Sequence, residues 1–211
     1  MYLPAHFEES RVEVLHALMV EHPFATLLTQ GAGGLEANHL PLHLEAEAGP
    51  FGVLQGHVAR ANPLWKQAAD SEVLVVFHGP QAYVTPSWYE TKREHGKAVP
   101  TWNYVVVHAH GRLRAIDDAD WLLGNLEALV AHHEAGFAEP WQIGDAPPEY
   151  IEKMLAVIVG IEIEITELKG KWKISQNQPP ANRAGVVAGL RELGTDEAAA
   201  MAGLVAGTLN P

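Results

Sequence analysis

Phe77-His-Gly-Pro-Gln-Ala-Tyr-Val-Thr-Pro-Ser-Trp-Tyr89 and Val99-Pro-Thr-Trp-Asn-Tyr104 are two neighbouring stretches that hold five Tyr and Trp rings, Tyr83, Trp88, Tyr89, Trp102 and Tyr104. The prolines in these stretches hold the backbone in fixed extended or turning conformations. Aromatic rings with polar ends can pack on an apolar body and still form a hydrogen bond, as a pocket for a planar heteroaromatic ligand requires. The stretches therefore predict the wall of a flat pocket. The alternative is an aromatic hairpin that serves only as core.

The residues on either side of these stretches predict short strands joined by turns. Leu40, Leu42 and Leu44 alternate with polar positions, and the segment 101–116 alternates over a longer distance. Gly and Pro signals predict a turn at 31–34, a strand 71–77 that ends before Gly79-Pro80, and a strand 157–168 that ends at Lys169-Gly170. Helices are predicted from a cap at Asp117 or Asp118 to about Glu134, at 147–155, and in the Ala/Gly-rich tail. This spacing favours a mainly β, antiparallel barrel or sandwich with peripheral helices.

Charge and composition exclude several classes of function. The chain has 211 residues, 14 Lys and Arg against 26 Asp and Glu, a net charge of -12 and no cysteine. Polyanion binding needs clustered cations, so direct DNA binding is disfavoured. The lack of cysteine removes disulfides and cysteine nucleophiles and fits a reducing compartment. Because no secretory signal or membrane-spanning run is seen, we expect a cytoplasmic protein.

Several polar and aromatic residues have groups that suit a flavin and its phosphate. A bound FMN needs a cradle for its phosphate, hydrogen-bond partners along its pyrimidine edge, and a wall for its ring face. The side chains that suit the phosphate are Arg60, Asn62, Lys173 and Ser175. Those that suit the pyrimidine edge are His57, Asn103, Gln176 and the strand around His39, and those that suit the ring face are Trp88 and Trp102. No spacing among these residues is a motif by itself, so packing and surface solvation are the alternative.

The histidines and Ser87 bear on other chemistries. His108 and His110 share one face of a strand, but no HExxH spacing supplies further metal ligands, and hydrogen-bonded structural histidines are favoured. Haem held by one axial histidine stays open. Ser87 does not lie in a Gly-x-Ser-x-Gly elbow, so nucleophilic catalysis is set aside. No residue is assigned as catalytic.

A series of short motifs occurs in a fixed order along the chain. The motifs are Met1-Tyr-Leu-Pro with His6-Phe7, His22-Pro-Phe-Ala25, His39-Leu-Pro-Leu42, Gly56-His-Val-Ala-Arg-Ala-Asn-Pro63, Phe77-His-Gly-Pro80, Tyr83 with Pro86-Ser-Trp-Tyr89, Val99-Pro-Thr-Trp-Asn-Tyr104 and Lys173-Ile-Ser-Gln-Asn177. In this order they resemble the PaiB family of FMN-binding negative transcriptional regulators. They span residues 1–177, so the expected organisation is a barrel domain at 1–177 and an Ala/Gly-rich helical appendage at 178–211.

The resemblance implies an FMN-binding split β-barrel like that of pyridoxamine-phosphate oxidases, working as a homodimer with FMN at the subunit interface. It implies that the flavin is lined by the strand around His39, by the segment from His57 to Asn62, and by Thr101, Trp102 and Asn103. Arg60 and Asn62 would lie at the phosphate, although the Ser-x-Lys expected at that turn is missing. A flavin-dependent reductase or oxidase is one functional expectation. The alternative is a non-enzymatic regulator with an empty pocket or another planar ligand such as haem.

Overall fold

The fold was analysed in a computed structural model, which describes residues 1–31 and 33–209. Ala32, in the predicted turn at 31–34, lies outside the described residues. So do residues 210 and 211, at the end of the predicted appendage.

The fold is built on one antiparallel sheet of eight strands. The strands are β1 (Glu8–Glu9), β2 (Phe24–Gly31), β3 (Gly34–Pro41), β4 (His43–Glu45), β5 (Val53–Ala59), β6 (Glu72–Val84), β7 (Thr101–Ile116) and β8 (Ile158–Lys173). Their order is β3-β2-β6-β7-β8-β5-β4, and β1 pairs with β8. The fold is a split β-barrel, which confirms the prediction of a mainly β, antiparallel architecture.

Helices fill the connections and the C-terminal part of the chain. They are α1 (Val12–Glu21), α2 (Leu64–Gln67), α3 (Glu90–His95), α4 (Ala119–Glu134), α5 (Pro148–Leu155), α6 (Pro180–Leu193) and α7 (Asp196–Gly207). Of the two predicted caps, Asp117 and Asp118, it is Asp118 that begins α4, because its carboxylate accepts the main-chain N–H of Trp121 at 2.8 Å. Within residues 1–31 and 33–209, no helix has the length and apolar composition needed to cross a bilayer.

The chain divides into two compact units. Unit 1 comprises Met1–Arg11, His78–Val107 and Lys169–Pro211, and unit 2 comprises Val12–Phe77 and His108–Leu168. Unit 1 carries nine of the Lys and Arg residues against seven acids, whereas unit 2 carries five against 19. The negative charge of the protein therefore belongs to unit 2. The predicted boundary between 177 and 178 stays a prediction.

The core of unit 2 follows from the pairing of β5 with β8. His57 lies opposite Gly160 in this register, and Leu54 lies opposite Ile163. Ile161, Ile163 and Ile165 are fully buried, as the alternation along β8 predicts. Gly160 has to be glycine here, because a Cβ at this position would lie 2.4 Å from the ring of Trp121.

Two strands run further than the sequence predicts. β6 passes through Pro80 to Val84. Its pairing with β2 among the described residues ends at Val76, so the missing N–H of Pro80 removes no hydrogen bond from that pairing. β8 passes through Gly170 to Lys173, where β1 pairs with it from the other end of the chain. The predicted strand ends at Phe77 and Leu168 were therefore wrong.

Candidate functional site

The start of β7 and the end of β8 bring six predicted site residues together in unit 1. These are Thr101, Trp102, Asn103, Lys173, Ser175 and Gln176. The ammonium of Lys173 donates to the hydroxyl of Thr101 and to the main-chain carbonyl of Trp102. The amide of Asn103 donates to Ser175 Oγ at 2.9 Å, and both side chains are buried. The pairing of the two strands thus explains why residues about 70 positions apart in sequence meet.

Gln176 and Ser175 shape the chain where β8 ends. The Oε1 of Gln176 accepts the N–H of Ile174 at 2.9 Å, and its amide donates to the carbonyl of Trp172. Ser175 has a φ of 64°, a left-handed conformation that costs energy for a residue other than glycine. The buried hydrogen bonds between Ser175 and Asn103 stabilise this conformation, so the two residues fix the backbone at the edge of the site.

Two lysines on the same face of β8 place positive charge beside an aromatic ring. Lys171 Nζ and Lys173 Nζ lie 5.3 and 6.0 Å from the centroid of the Tyr104 ring. Lys171 is only 8% exposed and donates to the main-chain carbonyl of Tyr2 at 3.0 Å. Burial, and then the charge of Lys171, lower the pKa of Lys173. Among the described residues no carboxylate forms an ion pair with either lysine, so a bound anion would be stabilised here.

Exposed aromatic rings adjoin these lysines. Trp102 is 54% exposed and Tyr83 is 48% exposed, and their ring centroids lie 6.0 Å apart at 69°. We name the set Tyr83, Trp102, Tyr104, Lys171 and Lys173 the aromatic–lysine surface. The ring of Tyr83 contacts that of Trp102, both lysines lie over the ring of Tyr104, and Lys173 donates to the main chain of Trp102. Exposed aromatic rings and two ammonium groups on neighbouring strands suit a flat aromatic ligand that carries an anionic group.

The other predicted residues with polar side chains lie in unit 2. Asn62 donates to Asn38 Oδ1 at 2.9 Å and accepts the N–H of Leu64 at 2.9 Å. It therefore sits at the start of α2, as predicted. His39, next to Asn38, has its Nδ1 3.2 Å from the hydroxyl of Thr26.

His57 carries a buried imidazole nitrogen that lacks a partner. Its Nδ1 is inaccessible and makes no hydrogen bond with the described residues. Burial lowers the pKa of His57, which favours the neutral ring. A neutral imidazole can either donate or accept a hydrogen bond at this nitrogen, depending on its tautomer, so His57 could serve a polar ligand edge.

Arg60 is held by other groups of unit 2. Its guanidinium forms a bidentate pair with Asp117, at 2.8 and 2.6 Å, and donates to the carbonyls of Ala156 and Ile158. The hydrogen bonds from Arg60 lower the pKa of Asp117. Arg60 already makes four hydrogen bonds. To bind a phosphate, as predicted, it would have to give up some of them.

Trp88 packs against the C-terminal part of unit 1. A Cβ built on Gly185 would lie 2.0 Å from the main-chain oxygen of Trp88, and one on Gly189 would lie 2.2 Å from its indole. The two glycines let α6 lie directly on this residue. The role of Trp88 as a flavin wall stays a prediction, and its observed contact is with α6.

The sequence analysis did not include Lys171 or Tyr104 among the candidate flavin residues, although Tyr104 lies in the aromatic stretches that predicted a pocket wall. The signal was present, because Lys171 and Lys173 are two positions apart and a strand puts such residues on one face. It was overlooked because Lys169-Gly170 was interpreted as the end of the strand. Tyr104 could have been identified by the same spacing, since it lies two positions after Trp102 and shares its face of β7.

The residues present fit FMN. In unit 1, the aromatic–lysine surface offers exposed rings and two ammonium groups that suit a flavin ring and a phosphate. In unit 2, the buried Nδ1 of His57 is a separate polar atom that has no hydrogen-bond partner among the described residues. Among the described residues, no group of three or more His, Asp or Glu side chains is arranged to hold a metal ion.

Comparison with known proteins gives a consistent result. Residues 1–167 match a family model described as "Putative FMN-binding domain". An uncharacterized protein of Emericella nidulans is 35% identical to this chain, covering 97% of this chain and 96% of its own. The protease synthase and sporulation protein PAI 2 of Bacillus subtilis is 32% identical over 97% of this chain and 96% of its own.

A solved structure shares the fold at low sequence identity. The FAD and haem binding protein of Mycobacterium smegmatis superposes with a TM-score of 0.58 and 18% identity, covering 79% of this chain and 73% of its own. The family match extends over most of the chain, and the Bacillus relative spans almost all of it. The chain therefore belongs to the PaiB-type FMN-binding family, and FMN is its cofactor.

Proposed function

We propose that this protein is a redox flavoprotein that holds FMN on the aromatic–lysine surface. The observation that carries the proposal is the pair of ammonium groups on Lys171 and Lys173, which lack a carboxylate partner among the described residues and lie 5.3 and 6.0 Å from the ring centroid of Tyr104. The exposed Trp102, whose main-chain carbonyl accepts from Lys173, lies two residues before Tyr104 on the same strand. In a protein with a net charge of -12, an unneutralised cation pair of this kind favours a bound anion.

Each group of the surface has a separate task in this proposal. Lys171 and Lys173 bind the phosphate, and the indole of Trp102 packs on the ring face. The Asn103–Ser175 pair fixes the positions of the strands that carry them. FMN, when bound, supplies hydride and single-electron transfer. The protein contributes binding, orientation and exclusion of water, and a reductase or oxidase is the activity these tasks support.

The homodimer is part of the same proposal. β3 lies at one end of the sheet, and an edge strand offers unpaired backbone groups to a partner. Leu35 on this strand is 77% exposed, and Phe24 on the neighbouring β2 is 68% exposed. A second copy would cover these apolar side chains. The mass of the purified protein in solution, measured by light scattering, should be twice that of the chain.

The phosphate contacts are tested by comparing FMN with riboflavin, which lacks the phosphate. Titration followed by quenching of flavin fluorescence gives both affinities. Lys171→Met and Lys173→Met should each weaken FMN by about tenfold or more, because a charge-assisted hydrogen bond contributes roughly 1.5–3 kcal/mol. Riboflavin affinity should change by less than about twofold, since no phosphate contact is lost.

Lys92→Met is the matched control for charge. Lys92 lies on α3 in unit 1 and contacts Ser87 at 3.4 Å, so its loss changes the net charge by the same amount away from the aromatic–lysine surface. It should leave the FMN affinity unchanged. Equal losses for FMN and riboflavin, or unchanged FMN binding in both surface variants, would place the phosphate elsewhere and refute the proposal.

A regulatory role is the second candidate, favoured by the relationship to the Bacillus protein named for protease synthesis and sporulation. The acidic charge of this chain argues that such regulation would act through the flavin rather than through direct contact with DNA. Gel-shift titration at several salt concentrations separates the two forms of regulation. The absorbance spectrum of the purified protein would also distinguish bound flavin from the haem alternative, because haem gives a Soret band.

A further inference from the structure

A groove opens between α4 and α5 in unit 2, and its apolar lining is only partly covered. Trp141 is 43% exposed, Tyr150 is 52% exposed and Met154 is 40% exposed. Two cavities of about 410 and 210 Å³ adjoin here, because both are lined by Val130, Trp141 and Ile143. We name them together the α4–α5 groove. The larger cavity lies in the range of small-molecule binding sites, roughly 300–1,000 Å³, and the smaller one extends it.

Negative charge is concentrated at the larger cavity. Glu127 and Glu134 both line it, and their spacing of seven residues puts them on one face of α4. Glu134 Oε2 accepts the main-chain N–H of Trp141 at 2.9 Å, which ties the segment carrying the indole to α4. Among the described residues that line the two cavities there is no lysine or arginine. The groove therefore combines an apolar body with an anionic, aromatic end.

We propose that the α4–α5 groove binds an amphiphilic organic cation, a ligand separate from the flavin. The apolar part of such a ligand packs against Val130 and Ile143. Its positive centre lies at the indole of Trp141 and near the carboxylates of Glu127 and Glu134, where cation–π and charge interactions both favour it. The excess of acids in unit 2, 19 against five basic residues, draws cations toward this part of the protein.

Charge argues against a second copy of this chain as the occupant. In a two-fold symmetric contact the same patch meets itself, so Glu127 and Glu134 would face their own symmetry mates. Juxtaposed like charges weaken such an interface. A cation removes this repulsion, and the concave shape of the groove fits a small molecule.

Two dyes with the same ring framework and opposite charge provide the first test. Rhodamine 6G is cationic and fluorescein is anionic, and both can be titrated by fluorescence anisotropy. Rhodamine 6G should bind at one saturable site, at least about tenfold more tightly than fluorescein. Excess FMN should not displace it. Absence of saturable binding, equal binding of fluorescein, or competition by FMN would overturn the proposal.

Variants then locate the bound dye. Glu127→Gln and Glu134→Gln should each weaken rhodamine 6G by about threefold to tenfold, because each removes one charge and keeps the size and hydrogen-bonding oxygen of the side chain. Trp141→Leu should also weaken it while keeping an apolar side chain. Glu152→Gln is the matched control, since Glu152 is exposed on α5 and does not line either cavity.

FMN affinity and circular dichroism are measured on the same variants. Both should equal the wild-type values, which shows that the fold and the flavin site are intact. An effect of Glu152→Gln as large as that of Glu127→Gln would mean that net charge alone attracts the dye, and it would overturn the assignment to the groove. Failure of the flavin proposal would be seen separately, in the FMN titrations.

Discussion

Replacing Gly189 with alanine should weaken the packing of α6 on Trp88. The added Cβ would lie 2.2 Å from Cε2 and 2.4 Å from Cδ2 and Nε1 of the indole, well inside contact distance. Overpacking of this kind costs about 1–3 kcal/mol, and the better helix propensity of alanine returns up to about 1 kcal/mol. We therefore expect a net loss of about 1–2 kcal/mol. For a protein of this size, that corresponds to a melting temperature lower by about 2–8 °C.

Gly203→Ala is a control with the opposite sign. Gly203 lies inside α7, in the same unit, and a Cβ there meets nothing within 4 Å. Only the propensity gain remains, so this variant should melt about 1–4 °C above the wild type. Thermal unfolding followed by circular dichroism measures both variants. A Gly189→Ala protein that melts at or above the wild-type temperature would refute the close packing of α6 on Trp88.

The source of the clash can be separated by a second substitution. Trp88→Leu removes the indole, so it should relieve the penalty of Gly189→Ala in the double variant. It should not relieve Gly185→Ala, because the Cβ of Ala at 185 would lie 2.0 Å from the main-chain oxygen of residue 88 whatever its side chain. Equal relief of both would mean that α6 moves as a whole and that the individual contacts do not decide the cost.

Three further predictions concern the flavin and Arg60. Burial and the charge of Lys171 lower the pKa of Lys173, whereas a bound phosphate favours the charged form of this lysine. The ratio of FMN affinity to riboflavin affinity should therefore fall as the pH rises through this lowered pKa toward the ordinary value of 10.5. Lys173→Met should flatten this profile. Trp102→Ala should weaken FMN and riboflavin alike, by about fivefold to tenfold in fluorescence titrations, because both ligands lose the same ring contact. Arg60→Ala should lower the melting temperature and bring the pKa of Asp117 back toward 3.8, which NMR titration of the carboxyl would report. An FMN-selective loss in Arg60→Ala would support the phosphate role predicted from sequence.

Local patterns were sufficient for most of the fold. The alternation of β8 between buried isoleucines and polar positions predicted its orientation, and Asp118 marked the start of α4. They failed where distant parts of the chain decide the structure. Gly170 looks like a turn residue until Glu9 pairs with it, and Pro80 looks like a strand end until its place beyond the β2 pairing is known.

The candidate site was predictable in part for the same reason. Trp102, Asn103 and Lys173 were found because their side chains suit a flavin, and the structure places them together. Lys171 was missed because its strand was ended too early. The partner of Arg60 could not be foreseen, since Asp117 follows 57 residues later and looked like a helix-starting residue.

The position of β8 inside the sheet has a consequence for how the protein is made. β5 is complete at Ala59, but the partner it pairs with begins only at Ile158. At translation rates of about 5–20 residues per second, this edge of β5 waits for about 5–20 s without its neighbour. Pairings so distant in sequence also fold slowly. The nascent chain therefore exposes an apolar strand edge for longer than a domain of local contacts would, and it depends on protection from aggregation until its last strand emerges.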